Sequence, residues 1–519
     1  MWLRADNRPE SRQTAVIDLG SNSVRLVIYR LEGRAIWTIF NEKALAGLGR
    51  DLPATGRLCV EGAELALSVL QRFRALLKGW APQDITAVAT AAVREAADGP
   101  AFLRRVAAET GVEVRLLSGA EEARYSALGV IAGDPAAEGV VGDLGGSSLE
   151  LVRLSAGEPE DGETLPLGPF ALGAPRALDI DRTRRVIEAE LAPLNGRFRT
   201  RTFHAVGGAW RNLALLHMEI TQYPLRVAHQ YEMSRADTLE MARFVERQSK
   251  SSLERIPGLS KKRFDTLPYA ALALEALIER LGIEQVVISA YGLREGLLFE
   301  AMDPSVRAQD PLLVGCEALT GVRGLSQDLG PALEDWLAPA FSRLPSLFGT
   351  RDRVLMAAAC RLADIGARLH PDHRADIAFE EVLRAPLAGM THAERAFLAC
   401  AAFSRHTAAT TPPEPAIVNR LLTPERRQRA RALGAAVRLG CDLSGRNSML
   451  LSNSAISIVA DRVELSAKPG WEAMLLGEQT AKRAQTLAAA LRLQLEIPQS
   501  AMAPGGIAWP LNRALDTKS

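Results

Sequence analysis

The chain has 519 residues, 47% hydrophobic and 24% charged, with a formal net charge of +1. That is the composition of a globular protein with room for three or four domains, and the near-zero charge excludes a global bias toward nucleic acid or a membrane surface. Five widely spaced cysteines (Cys59, Cys316, Cys360, Cys400, Cys441), with no C-x-x-C pair, argue against a disulfide frame and against a zinc site.

The polar start MWLRADNRPESRQ has no apolar core, and no run approaches about 18 apolar residues, so a cytoplasmic protein without signal peptide or membrane span is expected. Val16 to Val27 reads VIDLGSNSVRLV: a strand, a tight turn at Gly20, Ser21, Asn22 and Ser23, and a second strand. Helical spacing runs through Glu61–Trp80. Strands follow at Asp84–Ala89 and Val112–Leu117, then a helix from about Gly119 to Val130. Val141 to Val152 reads VGDLGGSSLELV and matches the first hairpin at seven of twelve positions, including Asp18/Asp143, Gly20/Gly145 and Ser23/Ser148. The repeat points to two similar subdomains. In the second, Phe203–Val206 ends at Gly207-Gly208 before a helix, and Val286–Ser289 precedes the helical YGLREGLLFE. Strands alternating with helices indicate an α/β fold. Residues 305–440 are helical in period. ISIVADRVELSA then suggests two short strands and EQTAKRAQTLAAALRL a helix; TPPEP (Thr411–Pro415) is the clearest internal break.

Glycine and hydroxyl tips expose backbone N–H groups that bind phosphate oxygens. Two such tips, one with Gly20, Ser21, Asn22 and Ser23, the other with Gly145, Gly146, Ser147 and Ser148, could grip phosphate from both sides. Asp18 and Asp143 at the strand ends would repel bare phosphate but suit Mg²⁺, directly or through water. Alternation along a strand puts Glu150 on the face of Ser148, toward the same ligand; Arg25 holds the equivalent position in the first hairpin. Glu121 and Glu122 open a helix after Ser118. The segment itself reads as a capping box through Glu121. Arg94, in ATAAVREA, either clamps phosphate or faces solvent.

IDLGSNSVRLVIY, ATAAVREA, LSGAEEARYSALGV, GDLGGSSLEL, AVGGAWRNLA and SAYGLREGLL occur in that order. Together they resemble the exopolyphosphatase and guanosine pentaphosphate phosphatase family, in its long form. The resemblance implies two facing actin-like (ribonuclease H-like) subdomains at 1–135 and 136–304. An all-helical HD-like domain at 305–440 and a small mixed α/β domain at 441–519 would follow. It implies Mg²⁺-dependent release of orthophosphate from the end of inorganic polyphosphate. Glu121 matches the family's catalytic base, Glu150 its water- and metal-handling acid, and Asp18 and Asp143 its metal-binding acids. Arg94 matches a cleft arginine, and Gly207-Gly208 the turn that lies near adenosine in nucleotide-binding relatives. A homodimer is the plausible assembly for the long form.

One departure stands out. The HD-like domain often keeps a His-Asp pair, but RLADIG puts Ala363 where the histidine would be. Asp364 is left with His370, His373 and His406 nearby in sequence. That is an incomplete ligand set, so the domain is expected to be structural or substrate-guiding. Arg420, Arg426, Arg427, Arg429, Arg431, Arg438 and Arg446 crowd one stretch holding only Glu425 and Asp442. The Arg426, Arg427, Arg429, Arg431 cluster is expected to hold the distal polyphosphate chain. Guanosine penta- or tetraphosphate remains an alternative substrate. A superfamily ATP-dependent kinase or a nucleotide-switched scaffold are more distant readings.

Overall fold

The computed structural model describes residues 11–194, 196–248, 250–256, 264–321 and 328–497. The chain divides into two compact units. The first runs through Gly315 and takes back Pro386–Thr391; the second holds Cys316–Ala385 and the chain from His392.

In the first unit, β1 (Arg12–Leu19) and β2 (Val24–Glu32) form an antiparallel hairpin extended by β3 (Ala35–Ala44). On the other side β4 (Asp84–Ala89) runs parallel to β1, and β5 (Arg115–Leu116) parallel to β4. The order is β3-β2-β1-β4-β5. The second sheet repeats the plan. β6 (Gly139–Leu144) and β7 (Leu149–Ser155) form the hairpin. β8 (Glu158–Pro159) and β9 (Glu163–Leu165) pair with β7 as β3 pairs with β2. β10 (Thr202–Val206) is parallel to β6, β11 (Tyr231–Ser234) closes the edge, and β12 (Gln285–Ile288) lies between them. The sequence repeat is therefore a repeat of topology. The register pairs Asp18 with Arg25 and Asp143 with Glu150 at the same place in each hairpin.

The central strands are continuous apolar runs because both faces are covered. Helix Val60–Trp80 lays Ala66, Leu67, Leu70, Phe73 and Leu77 on the first sheet. Trp210, Phe203 and Phe198 centre the core of the second. A third core joins the two sheets, with Val16, Val27, Val141 and Val152 around helix Gly119–Gly133. That helix crosses helix Leu293–Glu300 in backbone contact: a β-carbon on Gly296 would sit 1.8 Å from the Tyr125 carbonyl oxygen. Of the strand expected at Val112–Leu117, only Arg115–Leu116 joins the ladder, because the end of β4 at Val88–Ala89 is all it pairs with. The first unit also runs past the expected end at 304. Arg34 donates to the carbonyls of Arg307, Gln309 and Ile131, tying that extension to the sheet domain.

The second unit packs helices Leu329–Phe341, Arg351–Arg361, Arg374–Arg384, His392–His406, Pro415–Leu421 and Pro424–Ser444. They lie with a small sheet of β13 (Ser454–Val459), β14 (Arg462–Ala467) and β15 (Gln494–Glu496) and helix Glu478–Leu491. TPPEP links two of these helices. The boundary expected at 440 is corrected. Helix Pro424–Ser444 runs through it because its buried stripe of Leu433, Ala436, Val437, Gly440, Cys441 and Ser444 is unbroken. Trp336 Nε1 donates to Ser454 Oγ at 3.0 Å, so helices and small sheet share one core. All five cysteines are buried and none is in a disulfide. No helix among the described residues is long and apolar enough to cross a membrane.

Helices Ile180–Leu191, Arg235–Glu246 and Leu267–Leu281 are stitched by Arg184 and Arg243, which reach Glu275 at 2.7 and 2.8 Å. Glu246 Oε1 is buried without a hydrogen-bond partner. Burial, then the Glu275 charge, push the Glu246 carboxyl up to about 7. A raised carboxyl favours its proton in the folded state, so its stability contribution is full below the ordinary carboxylate value and is lost as pH rises toward 7. Glu246→Gln should therefore stabilise the protein at pH 8 by on the order of 1–3 kcal/mol and do little near pH 4.5. Thermal denaturation at both pH values checks this, and equal effects at the two would contradict it.

Candidate active site

The two hairpin tips close with the same bond: Gly20 N–H donates to the Ser23 carbonyl and Gly145 N–H to the Ser148 carbonyl, both at 3.0 Å. The tips meet. A β-carbon on Gly146 would lie 2.9 Å from Ser21 Cβ. They floor a cavity of about 390 Å³ lined by Asp18, Gly20, Ser21, Asn22, Ser23, Asp143, Gly145, Gly146, Ser148, Glu150, Gly207 and Gly208. Gly208 starts helix Gly208–Ile220, whose N-terminus opens on the cavity and favours anions.

Three expected residues are placed differently. Glu121 does not line the cavity: its carboxylate accepts from Ser118 N–H (2.8 Å) and Ser118 Oγ–H (2.9 Å), completing a capping box. Those two bonds hold the Glu121 carboxyl below its ordinary value. Its neighbour Glu122, about 100° further round the helix, is buried and lines the cavity. One turn on, Ser126 Oγ donates to Asp143 Oδ2 at 2.5 Å, so Glu122 and Ser126 present one face to the site. Arg94 stands behind Glu122. Its Nη1 donates to Glu122 Oε2 and to the Leu117 carbonyl, both at 3.0 Å. Ser147 turns away from the cavity, because it is Ser148 that shares a face with Glu150, and the Ser147 Oγ is buried without a partner.

Four acids thus converge. Burial, opposed by Arg94 and helped by Asp143 and Asp18, lifts Glu122 to about 7. Burial, opposed by the Ser126 bond, lifts Asp143 to about 6. Glu150 is pushed well up by burial, then by Glu122 and Asp143. Asp18 is raised by burial against Arg294 and Arg25. Glu150 Oε1 is buried with no hydrogen-bond partner. A cluster of mutually destabilised carboxylates with an orphaned oxygen fits an oxygen-preferring divalent cation. They do not close on a single point: among the described residues the one group of three metal-capable side chains with ligand atoms within 4.8 Å of one another is Asp51, Cys59 and Glu61. A cation in the cleft would therefore keep water or phosphate oxygens in its shell, as Mg²⁺ does.

The same cavity is lined by Arg25, Lys43, Arg211 and Arg294, and Arg25, the cross-strand partner of Asp18, and Arg294 lie close enough to oppose the rise of Asp18. Arg25 Nε donates to Asn41 Oδ1 at 2.8 Å, and burial lowers Arg25 to about 10. Arg294 has a buried Nη1 without a hydrogen-bond partner. Sequence reasoning passed over Lys43, Arg211 and Arg294. Arg211 comes three residues after Gly208 in AVGGAWR and Arg294 two after Gly292 in YGLR, and that placement in the first turn of a helix was the available signal.

The profile of the Ppx/GppA phosphatase family matches residues 27–304, more than half of the chain. The chain belongs to the Ppx/GppA phosphatase family. A second profile, described as exopolyphosphatase, C-terminal, matches residues 312–500. The first match spans Glu122, Asp143, Glu150 and Arg294. Exopolyphosphatase 1 of Mycobacterium leprae is 28% identical over 301 residues, 56% of this chain and 89% of its own. Exopolyphosphatase 2 of Mycobacterium tuberculosis is 26% identical over 313 residues, 55% and 97%. The crystal structure of an exopolyphosphatase from Cytophaga hutchinsonii superposes with a TM-score of 0.53 at 23% identity, over 56% of this chain and 98% of that one. That likeness is one of fold.

In the second unit, Arg426 donates to the Leu347 carbonyl at 2.8 Å and stacks 4.0 Å above Phe348. Arg429 reaches the Pro345 carbonyl at 3.0 Å and Arg427 the Asn419 side chain. Arg431 is half-buried. These partners are neutral, so the cluster is tied down without losing its charge. His406 Nε2 lies 2.8 Å from the Ile365 carbonyl, and burial drives it down to about 3; Asp364 lies 3.7 Å from Arg446.

Proposed function

We propose that this protein is an exopolyphosphatase, hydrolysing the terminal phosphoanhydride of inorganic polyphosphate to release orthophosphate. The observation that carries the reading is one cavity lined by two backbone phosphate tips, four acids and four cations. The relatives named above as exopolyphosphatases support it.

In this reading the terminal phosphoryl group sits between the Gly20–Ser23 and Gly145–Ser148 tips, held by backbone N–H groups. Asp18, Asp143 and Glu150 would hold Mg²⁺, which when bound supplies neutralisation of phosphate charge. Glu122 orients the attacking water and takes its proton at a carboxylate oxygen, while Arg94 fixes the carboxylate from behind. Glu121 caps the helix that carries Glu122. Arg25, Lys43, Arg211 and Arg294 stabilise the charge that gathers on the leaving oligophosphate. The test is orthophosphate release from long polyphosphate, tripolyphosphate, guanosine pentaphosphate and ATP in parallel, with and without Mg²⁺. Preference for polyphosphate is expected. Faster release from guanosine pentaphosphate, or phosphate transfer from ATP, would overturn it.

The helical segment beyond 305 is read as an HD-like domain without a metal centre, serving chain binding. Arg426 and Arg429 support the fold through Leu347 and Pro345, so the informative variants are Arg427→Gln and Arg431→Gln. Together they should weaken binding of long chains, leave tripolyphosphate unaffected, and reduce the salt dependence of long-chain affinity. An unchanged salt slope would make the cluster a solvated helix face.

A further inference from the structure

The turn Ala46–Arg50 is hydrogen-bonded to the first phosphate tip twice: Gly47 N–H donates to the Asn22 carbonyl at 3.1 Å and Gly49 N–H to the Ser21 carbonyl at 2.8 Å. Cys59 N–H, at the head of helix Val60–Trp80, donates to the Leu48 carbonyl at 3.0 Å, so the turn is anchored to the first subdomain from both sides. Its apex also touches the second subdomain. A β-carbon on Gly49 would lie 2.9 Å from Ser147 Oγ, 3.0 Å from Ser21 Cβ and 3.2 Å from Ala92 Cβ, two residues before Arg94. Gly49 is outside the left-handed backbone region, so alanine there carries no backbone strain. What glycine supplies is space. Ser21 Cβ and Ala92 Cβ are fixed by their own backbones and cannot swing away; Ser147 Oγ can leave only by a change of its χ1 rotamer in a buried, close-packed place.

We propose that Gly49 is a positioning residue that sets the spacing of the two phosphate tips and of the short helix bearing Arg94. The proposal rests on the reading of the cleft as a phosphoanhydride hydrolase. The tips belong to different subdomains, and the polyphosphate end must be gripped by both. Two contacts define how closely they approach: Gly146 against Ser21, and Ser147 against Gly49. The second explains why the Ser147 hydroxyl is turned out of the cavity. It is the stop that meets the turn. Ala92 brings Arg94, and through it Glu122, to the same junction. One methyl group at Gly49 would therefore displace phosphate grip and water orientation together.

The variant is Gly49→Ala in the full-length protein. Misplacing a reacting group by 1 Å costs about 10²-fold, so a shift of a few tenths of an ångström should lower kcat/KM for tripolyphosphate by about tenfold. KM should rise and kcat fall, and the thermal midpoint should stay near wild type. Adding Ser147→Gly removes the closest collision and should recover much of the loss. Calorimetric binding of tripolyphosphate in Ca²⁺ buffer reads the grip independently of turnover and should weaken in the same order. Wild-type kinetics and wild-type binding in Gly49→Ala would overturn the proposal. So would a loss matched by a fallen melting point and untouched by Ser147→Gly, since the glycine would then serve packing alone. If wild type binds tripolyphosphate without hydrolysing it, the hydrolase reading fails, and the binding series still decides whether Gly49 spaces the tips.

Discussion

Glu122→Gln should reduce polyphosphate turnover by about 10²–10⁴-fold while retaining binding, whereas Glu121→Gln should leave turnover near wild type. Glutamine keeps the size of Glu122 and can still accept from Arg94 Nη1 through its amide oxygen, but it cannot take a proton from water. At Glu121 the same change touches only the capping box with Ser118, worth about 0.5–2 kcal/mol. The adjacent pair is its own control, because both changes remove one charge from the same helical turn. Initial rates at saturating Mg²⁺ and polyphosphate separate the two. If Glu121→Gln is the inactive variant and Glu122→Gln the active one, the cleft is assigned wrongly.

The second large effect belongs to the acid of the second hairpin. Asp143→Asn keeps an oxygen that can accept from Ser126 Oγ, so the fold should survive. The amide carries no charge and holds Mg²⁺ poorly. Loss even of an outer-shell partner typically costs about 10–100-fold in metal affinity, so loss of a charged holder should raise the Mg²⁺ concentration for half-maximal activity by at least about tenfold. The shift of the melting point with Mg²⁺ reads the same loss without turnover. An unchanged Mg²⁺ dependence by both measures would remove Asp143 from the metal's holders.

Much of this architecture was legible from one repeat. Matching VIDLGSNSVRLV to VGDLGGSSLELV anticipated two hairpins in one register, and the sheets around them share a strand order. The acids at Asp18 and Asp143 and the same-face argument for Glu150 follow from period-two alternation, which a strand enforces locally. What failed depended on neighbours distant in sequence. In Glu121-Glu122, local chemistry names the cap and cannot say which residue faces β6, because that depends on how the helix lies on the second sheet. Ser147 and Ser148 split the same way: one meets Gly49, nearly a hundred residues earlier, and the other shares the Glu150 face. The boundary expected at 440 followed a change from helical to mixed periodicity, but the helix through it is held by a buried stripe that does not change there. The return of Pro386–Thr391 to the first unit leaves no local mark, since nothing in the segment itself names its partners.

The most direct test of the central claim is product analysis during the first turnovers on long polyphosphate with Mg²⁺, following orthophosphate and residual chain length together. Hydrolysis at the chain end predicts orthophosphate from the outset, residual chains that shorten without mid-length fragments, and loss of both signals in Glu122→Gln. Mid-length fragments appearing before orthophosphate, or release that persists at the wild-type rate in Glu122→Gln, would contradict it.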